Sequence, residues 1–146
     1  MFYIILHLLK TPVKNGRWVG EGGEDGVRGE SKFISDAPEV RRYMDNAGVD
    51  GVQYRNAMPD FSPFTREEVP LENMSASRPQ NFAQGDAILA RRWSTPERQW
   101  TQTEVARWRA QNSYTWHELN DGVTMQLVPT TINRKFTHLG GVSEVR

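Results

Sequence analysis

The chain has 146 residues, of which 37% are hydrophobic, enough for one domain with a modest core in which five Trp carry a large share. Eighteen basic and eighteen acidic side chains cancel, so the total charge neither argues for nucleic acid nor against it; local distribution decides. With no Cys there is no disulfide framework and no Cys-ligated zinc.

In chain order, Met1 to Leu9 is apolar but lacks a basic leader and a small-residue cleavage site, and it is too short to span a bilayer. It reads as a strand, or as the remnant of a longer parent chain, with His7 structural. Trp18 to Ser31 is Gly-rich and charged, a loop by composition. Ser35 to Glu39 carries a cap and an early Pro, and predicts a helix to about Ala47 that stops at Gly48. Val52 to Tyr54 is a short strand, Met58 to Phe64 an irregular aromatic loop, and Val69 to Leu71 another short strand. Asp60 in the Pro-Asp-Phe loop reads as a turn cap, with a substrate or metal contact as the alternative. A helix follows from about Asn81 to Trp93, burying Phe82, Leu89 and Trp93. Thr101 and Glu104 form a capping-box signature that opens a helix with Val105 and Trp108 inside.

The last 33 residues are the most informative. Tyr114-Thr115-Trp116 favours a strand, being aromatic and β-branched. Asn120-Asp121-Gly122 is a hairpin turn signal, and Val123 to Val128 returns as a second strand closed by Pro129. Val123, Met125 and Leu127 share one face by period two. Thr130 or Thr131 caps a short helix on which Ile132 and Phe136 share a face, and Gly140-Gly141 stops it. The expected fold class is α+β: a ββα unit over 111–146 on a mixed N-terminal region, 1–110, within one domain, 1–146.

This unit places His117, Glu118, Asn133 and His138 close in sequence. Phosphodiester hydrolysis needs an activated water and a group that absorbs charge on the phosphate. A neutral His suits the first task and a divalent metal the second. Glu118 offers a hard oxygen ligand and His138 an imidazole. Asn133 and His138 are five apart, about 140° around a regular helix, so they share no face if both are helical. Asn133 is then either a ligand at a frayed turn or a brace for the hairpin. Taken singly, a His beside a Trp is also a common packing residue.

Tyr114 to His117, Asp121-Gly122, Met125 to Pro129, Asn133, and His138-Leu139-Gly140-Gly141 together resemble the His-Asn-His (endonuclease VII) nuclease superfamily. The likeness is to its toxin branch with the Trp-His motif. Gly29 to Phe33, Gly51 to Tyr54, Pro59 to Pro63 and Arg78 to Phe82 are similar to the region that precedes such a tail in secreted bacterial toxin modules. The resemblance implies an HNH-type, metal-dependent and largely non-specific endonuclease, a hydrolase. It implies the C-terminal module of a polymorphic or contact-dependent toxin, exported within a larger polypeptide and acting in a target cell's cytoplasm. DNA is the expected substrate. RNA, tRNA in particular, is the alternative, and a catalytically inactive binding module is a third reading. A cognate immunity protein is the implied protein partner, and no membrane is. Many relatives carry a second His where this chain has Glu118, which leaves open whether His117 or Glu118 is the base and which of them binds metal. The expected catalytic residues are His117 and Glu118, and the expected metal ligands Glu118, Asn133 and His138. Mg²⁺ is the first choice of ion, with Zn²⁺, Mn²⁺ or Ni²⁺ also compatible with the donors.

From Arg78 to Arg109, six Arg face three acids, a local excess of three positive charges. Arg91, Arg92 and Arg98, with Arg134 and Lys135 in the tail, are the expected nucleic-acid contacts; Arg107 and Arg109 are further candidates. A solvated helix face is the plain alternative for the strip. Arg78 suits either a phosphate or an acid in the core.

Overall fold

Two antiparallel sheets organise the chain, and each has its own core. The computed structural model describes residues 2–138. The chain divides into two compact units, one of residues 2–64 with 131–138, the other of residues 65–130. The class is α+β, as expected. The tail expected as one piece is shared between the units: its hairpin lies in the second and nearly all its helix in the first.

The first unit opens with a helix, α1 (Phe2–Leu9), where the sequence suggested a strand. A run that is apolar apart from His7 has no period to read, and Leu is as good a helix former as it is a core residue. Strands β1 (Gly16–Val19) and β2 (Lys32–Ser35) pair antiparallel across the supposed loop, with Trp18 opposite Phe33. They escaped sequence reading because each spans only four residues amid Gly and charge. A 3₁₀ turn (Pro38–Val40) leads into α2 (Arg41–Ala47), which ends at Gly48 as expected. Strand β3 (Val52–Arg55) pairs with β2 and with the two-residue β4 (Met58–Pro59), giving the order β1-β2-β3-β4. The loop read as irregular after Met58 therefore holds β4 and a 3₁₀ turn (Ser62–Phe64), and Asp60 caps it by accepting from the Ser62 N–H at 2.9 Å.

Aromatic packing holds this unit together. Trp18 meets Phe33 and Tyr54 edge-on with centroids 5.1 and 5.0 Å apart, and Phe33 meets Phe136 at 6.3 Å. Phe33, Tyr54, Phe61, Ile132 and Phe136 are all buried. Burial of each such side chain is worth roughly 1.5–3 kcal/mol. The Tyr54 hydroxyl donates to the Thr137 carbonyl at 2.9 Å, and burial raises its pKa far beyond the ordinary tyrosine value.

In the second unit, β5 (Glu67–Pro70), β6 (Tyr114–Glu118) and β7 (Thr124–Pro129) form a sheet in the order β5-β7-β6. β7 is central, and residues 125–129 are all buried. That explains why Val128 broke the expected alternation: a central strand covered on both faces needs no polar side. The helices are α3 (Arg78–Trp93), capped by Ser77, and α4 (Gln102–Asn112). The α4 capping box forms as read, with Thr101 Oγ1 accepting from the Glu104 N–H and Glu104 accepting from the Thr101 N–H.

Val69, Leu71, Leu89, Ala90, Val105, Trp116, Met125 and Leu127 make the core. α3 reaches the sheet at Gly85, where an added Cβ would lie 2.7 Å from Met125 Cε and 2.8 Å from the Trp116 ring. A mid-helix Gly costs about 1 kcal/mol against Ala, and here the close approach requires it. The approach sets Asp86 beneath Trp116, whose indole N–H donates to Asp86 Oδ1 at 2.9 Å. Arg109 binds the same carboxylate through Nε (2.7 Å) and Nη2 (2.8 Å).

Helix α5 (Thr130–Lys135) follows β7 without a break because Pro129 ends the ladder. Ile132 and Phe136 turn inward together, as their spacing predicted. The expected Gly140-Gly141 stop lies outside the described residues.

Candidate active site

The hairpin register decides where the tail's functional groups point. Gly122 takes φ 74°, a conformation that favours glycine, so the Asp121-Gly122 turn forms where the sequence put it. The Asp121 carboxylate accepts from the Val123 and Thr124 N–H groups, both at 2.8 Å, and from the Thr124 hydroxyl at 2.6 Å. The turn aligns His117 with Gln126 and Glu118 with Met125. The next strand over aligns Glu68 with Gln126.

Neighbours on a strand project to opposite faces. Trp116 and Glu118 face α3, where Trp116 meets Asp86 and the Glu118 carboxylate meets Arg78 Nε (3.0 Å) and Asn81 Nδ2 (2.6 Å). His117 faces the other way. Its Nδ1 lies 3.5 Å from Gln126 Oε1, and Gln126 Nε2 donates to Glu68 Oε1 at 3.0 Å. The structure therefore sets His117 and Glu118, the two expected catalytic residues, on opposite faces of β6. Both are buried, at 4% exposure each. Each Glu118 oxygen accepts one hydrogen bond from α3. Of the two readings of Arg78, pairing with a buried acid is the one observed.

His138 lies three residues beyond the end of α5, so the spacing objection, which assumed that both residues were helical, does not apply. Its ring stands edge-on to Phe61, with centroids 5.6 Å apart, and its Nδ1 is 3.1 Å from the Phe136 carbonyl oxygen. A carbonyl only accepts, so Nδ1 carries a proton, and in the neutral ring Nε2 keeps the lone pair. That arrangement is typical of a metal-binding His, whose second nitrogen is fixed by a backbone acceptor. Asn133 is half-buried on α5 and adds an amide oxygen. In donor type, then, His138 and Asn133 fit a mixed nitrogen and oxygen ligand set. Among the described residues, no three His, Cys, Asp or Glu side chains gather round one point.

The arginine strip is less basic than its sequence suggested. Arg92 pairs with Glu67 at 3.2 Å, Arg98 with Glu104 at 3.1 Å, Arg109 with Asp86 and Arg78 with Glu118. Two of these acids, Glu67 and Glu118, lie outside the counted window and arrive through the sheet. Arg98 also covers the Trp100 ring at 4.1 Å. Arg91 and Arg107 are exposed. In the first unit, Lys135 pairs with Glu39 at 2.6 Å while Arg134 is exposed.

Sequence reasoning missed Asn81, Gln126, Glu68 and Asp86 as partners of the tail. The signal for Gln126 was present: once the turn is fixed at Asp121-Gly122, counting back along both strands sets it opposite His117. The partners on β5 and α3 depend on tertiary pairing, which no local pattern states. Among the described residues, no helix is long and apolar enough to cross a membrane.

A search of curated proteins finds no match to the chain. A family model described as the DNase/tRNase domain of colicin-like bacteriocin matches residues 51–140, more than half of the chain. The match takes in β3 to β7, α3 to α5, and with them His117, Glu118, Asn133 and His138. The chain accordingly belongs to the DNase/tRNase family of colicin-like bacteriocins, and is a nuclease toxin domain.

Proposed function

We propose that this domain is a metal-dependent, HNH-type endonuclease that cleaves DNA with little sequence preference, as the delivered C-terminal module of an antibacterial toxin acting in the cytoplasm of a target cell. A cognate immunity protein restrains it in the producing cell. The observation that carries the reading is shared by the two tail histidines. Nδ1 of His117 and Nδ1 of His138 each face an acceptor, Gln126 Oε1 and the Phe136 carbonyl, so Nε2 is the basic nitrogen in both. A nuclease needs a nitrogen that can take a proton, and a metal-dependent one needs donors for its ion.

His117 is the general base in this reading. It takes a proton from water at Nε2, a role typically worth about 10²–10⁴-fold in rate. His138 and Asn133 are the metal ligands. When bound, the ion supplies charge stabilisation at the phosphate and orients it for in-line attack. The mixed donors admit Mg²⁺, Mn²⁺, Zn²⁺ or Ni²⁺. Glu118, with both oxygens engaged by α3, serves as a brace for Arg78 and Asn81. Arg91 and Arg134, exposed and outside the ion pairs described above, make the phosphate contacts, with Arg92, Arg98 and Lys135 contributing less because acids hold them.

The family includes nucleases for DNA and for tRNA, and one assay separates the substrates. Purified protein is incubated with plasmid DNA and with total tRNA, with Mg²⁺ or with EDTA. The reading expects DNA cleavage that EDTA stops. Cleavage confined to tRNA would replace the substrate, cleavage in EDTA would remove the metal, and no cleavage of either would leave a binding module.

A further inference from the structure

The polar row across the second sheet has no packing purpose. Glu68, Gln126 and His117 sit opposite one another on β5, β7 and β6, one residue per strand on one face. Gln126 and His117 are each 4% exposed, while Glu68 is exposed at the sheet edge. A buried amide in a central strand is costly unless both its ends are satisfied. Here the demands have one solution. The Glu68 carboxylate accepts only, so the Gln126 NH₂ group must face it, as it does at 3.0 Å. The Gln126 carbonyl oxygen is then turned to His117 and accepts only, so His117 Nδ1 must donate. One exposed carboxylate thereby sets the tautomer of a buried imidazole two strands away.

We propose that Gln126 is a positioning residue for His117, and that Glu68 fixes the direction of the Gln126 amide, so that His117 holds its proton on Nδ1 and presents Nε2 as the base. The mechanical consequence rests on the reading of His117 as the general base; the tautomer does not. The relay has a further effect on chemistry. When Nε2 takes a proton, the ring becomes a cation with both nitrogens protonated. The Gln126 oxygen keeps its bond to Nδ1, and the Glu68 charge is one side chain further off. The neutral amide between them keeps the ring from handing its Nδ1 proton directly to the carboxylate.

The test reads the tautomer directly. Imidazole ¹⁵N shifts from long-range ¹H–¹⁵N correlation spectra distinguish the Nδ1–H and Nε2–H forms without any need for activity. Wild-type His117 is expected in the Nδ1–H form. Gln126→Leu, which keeps the volume and removes the acceptor, is expected to give a mixture of tautomers. It should lower kcat at least tenfold with little change in KM. Glu68→Gln is expected to do the same more weakly, because its amide no longer dictates which end of Gln126 faces it. The double variant Glu68→Gln with Gln126→Glu reverses the two groups and keeps an acceptor at Nδ1, so it should restore the Nδ1–H form. A thermal transition checks that each variant is folded. If Gln126→Leu melts early, the double variant and Glu68→Gln still decide the matter. An Nε2–H tautomer in the wild type, or an Nδ1–H form untouched in folded Gln126→Leu, would overturn the relay. An Nδ1–H form in a protein that cleaves no nucleic acid would instead uphold the relay and overturn the nuclease reading.

Discussion

Asp86 is the acid on which the second unit's helices and sheet converge, and its removal gives the sharpest stability test. The carboxylate is buried and receives Nε and Nη2 of Arg109 and the indole N–H of Trp116, all within 2.9 Å. In Asp86→Ala a guanidinium with only 14% of its side chain exposed loses its counter-charge. Removing one partner of a buried pair costs about 3–5 kcal/mol. The residual exposure of Arg109 argues for the lower end, about 3 kcal/mol. Against a total stability of roughly 5–15 kcal/mol, this is a large fraction. At about 2–4 °C per kcal/mol, it lowers Tm by about 6–12 °C. Urea melts followed by Trp fluorescence give the free energy, and the near-UV dichroism of Trp116 locates the loss in this unit. Asp86→Leu combined with Arg109→Met, which removes both charges, is expected to recover part of the stability, because the buried Trp116 indole N–H still lacks its acceptor. A loss below about 1 kcal/mol in Asp86→Ala, or a double variant as unstable as the single, would refute the argument.

Two further outcomes are expected. Burial works to raise the Asp121 pKa, but the bonds from Thr124 and Val123 outweigh it and hold the carboxyl below the ordinary aspartate value. A lowered folded-state pKa means the turn's stabilisation is complete above the usual value of about 3.9 and fades as pH falls through the lowered one. Amide exchange at Val123 and Thr124 should quicken in that acid window, beyond the intrinsic trend, in the wild type and not in Asp121→Asn. Under the metal proposal, His138→Ala weakens Mn²⁺ and Zn²⁺ binding in calorimetric titrations more than Asn133→Ala does, since the imidazole nitrogen is the stronger donor for both ions. Equal losses would give Asn133 the same standing, and a reversed order would make Asn133 the principal ligand.

The legible parts of this fold were those specified by local chemistry. The Thr101–Glu104 capping box, the Asp121-Gly122 turn, the Pro129 strand end and the Ile132–Phe136 pair all lie where the sequence put them, because each depends on residues four or fewer apart. The β1–β2 hairpin was not legible, since its Trp18–Phe33 pairing spans a Gly-rich loop. α1 was misread because eight apolar residues around a single His carry no period. The candidate site divides in the same way. His117 could be placed on a strand, and period two alone sets it and Glu118 on opposite faces; what each face meets, α3 on one and the Gln126–Glu68 row on the other, depends on tertiary pairing. Charge counting failed for the same reason: Glu67 and Glu118 neutralise Arg92 and Arg78 from positions 25 and 40 residues away.

Plasmid cleavage by wild type and His117→Ala at one Mg²⁺ concentration decides whether His117 is the base of a nuclease. The account predicts nicking and linearisation by the wild type and a loss of at least about 10²-fold in His117→Ala, with the unfolding transition retained. Wild-type cleavage by a folded His117→Ala protein would contradict it.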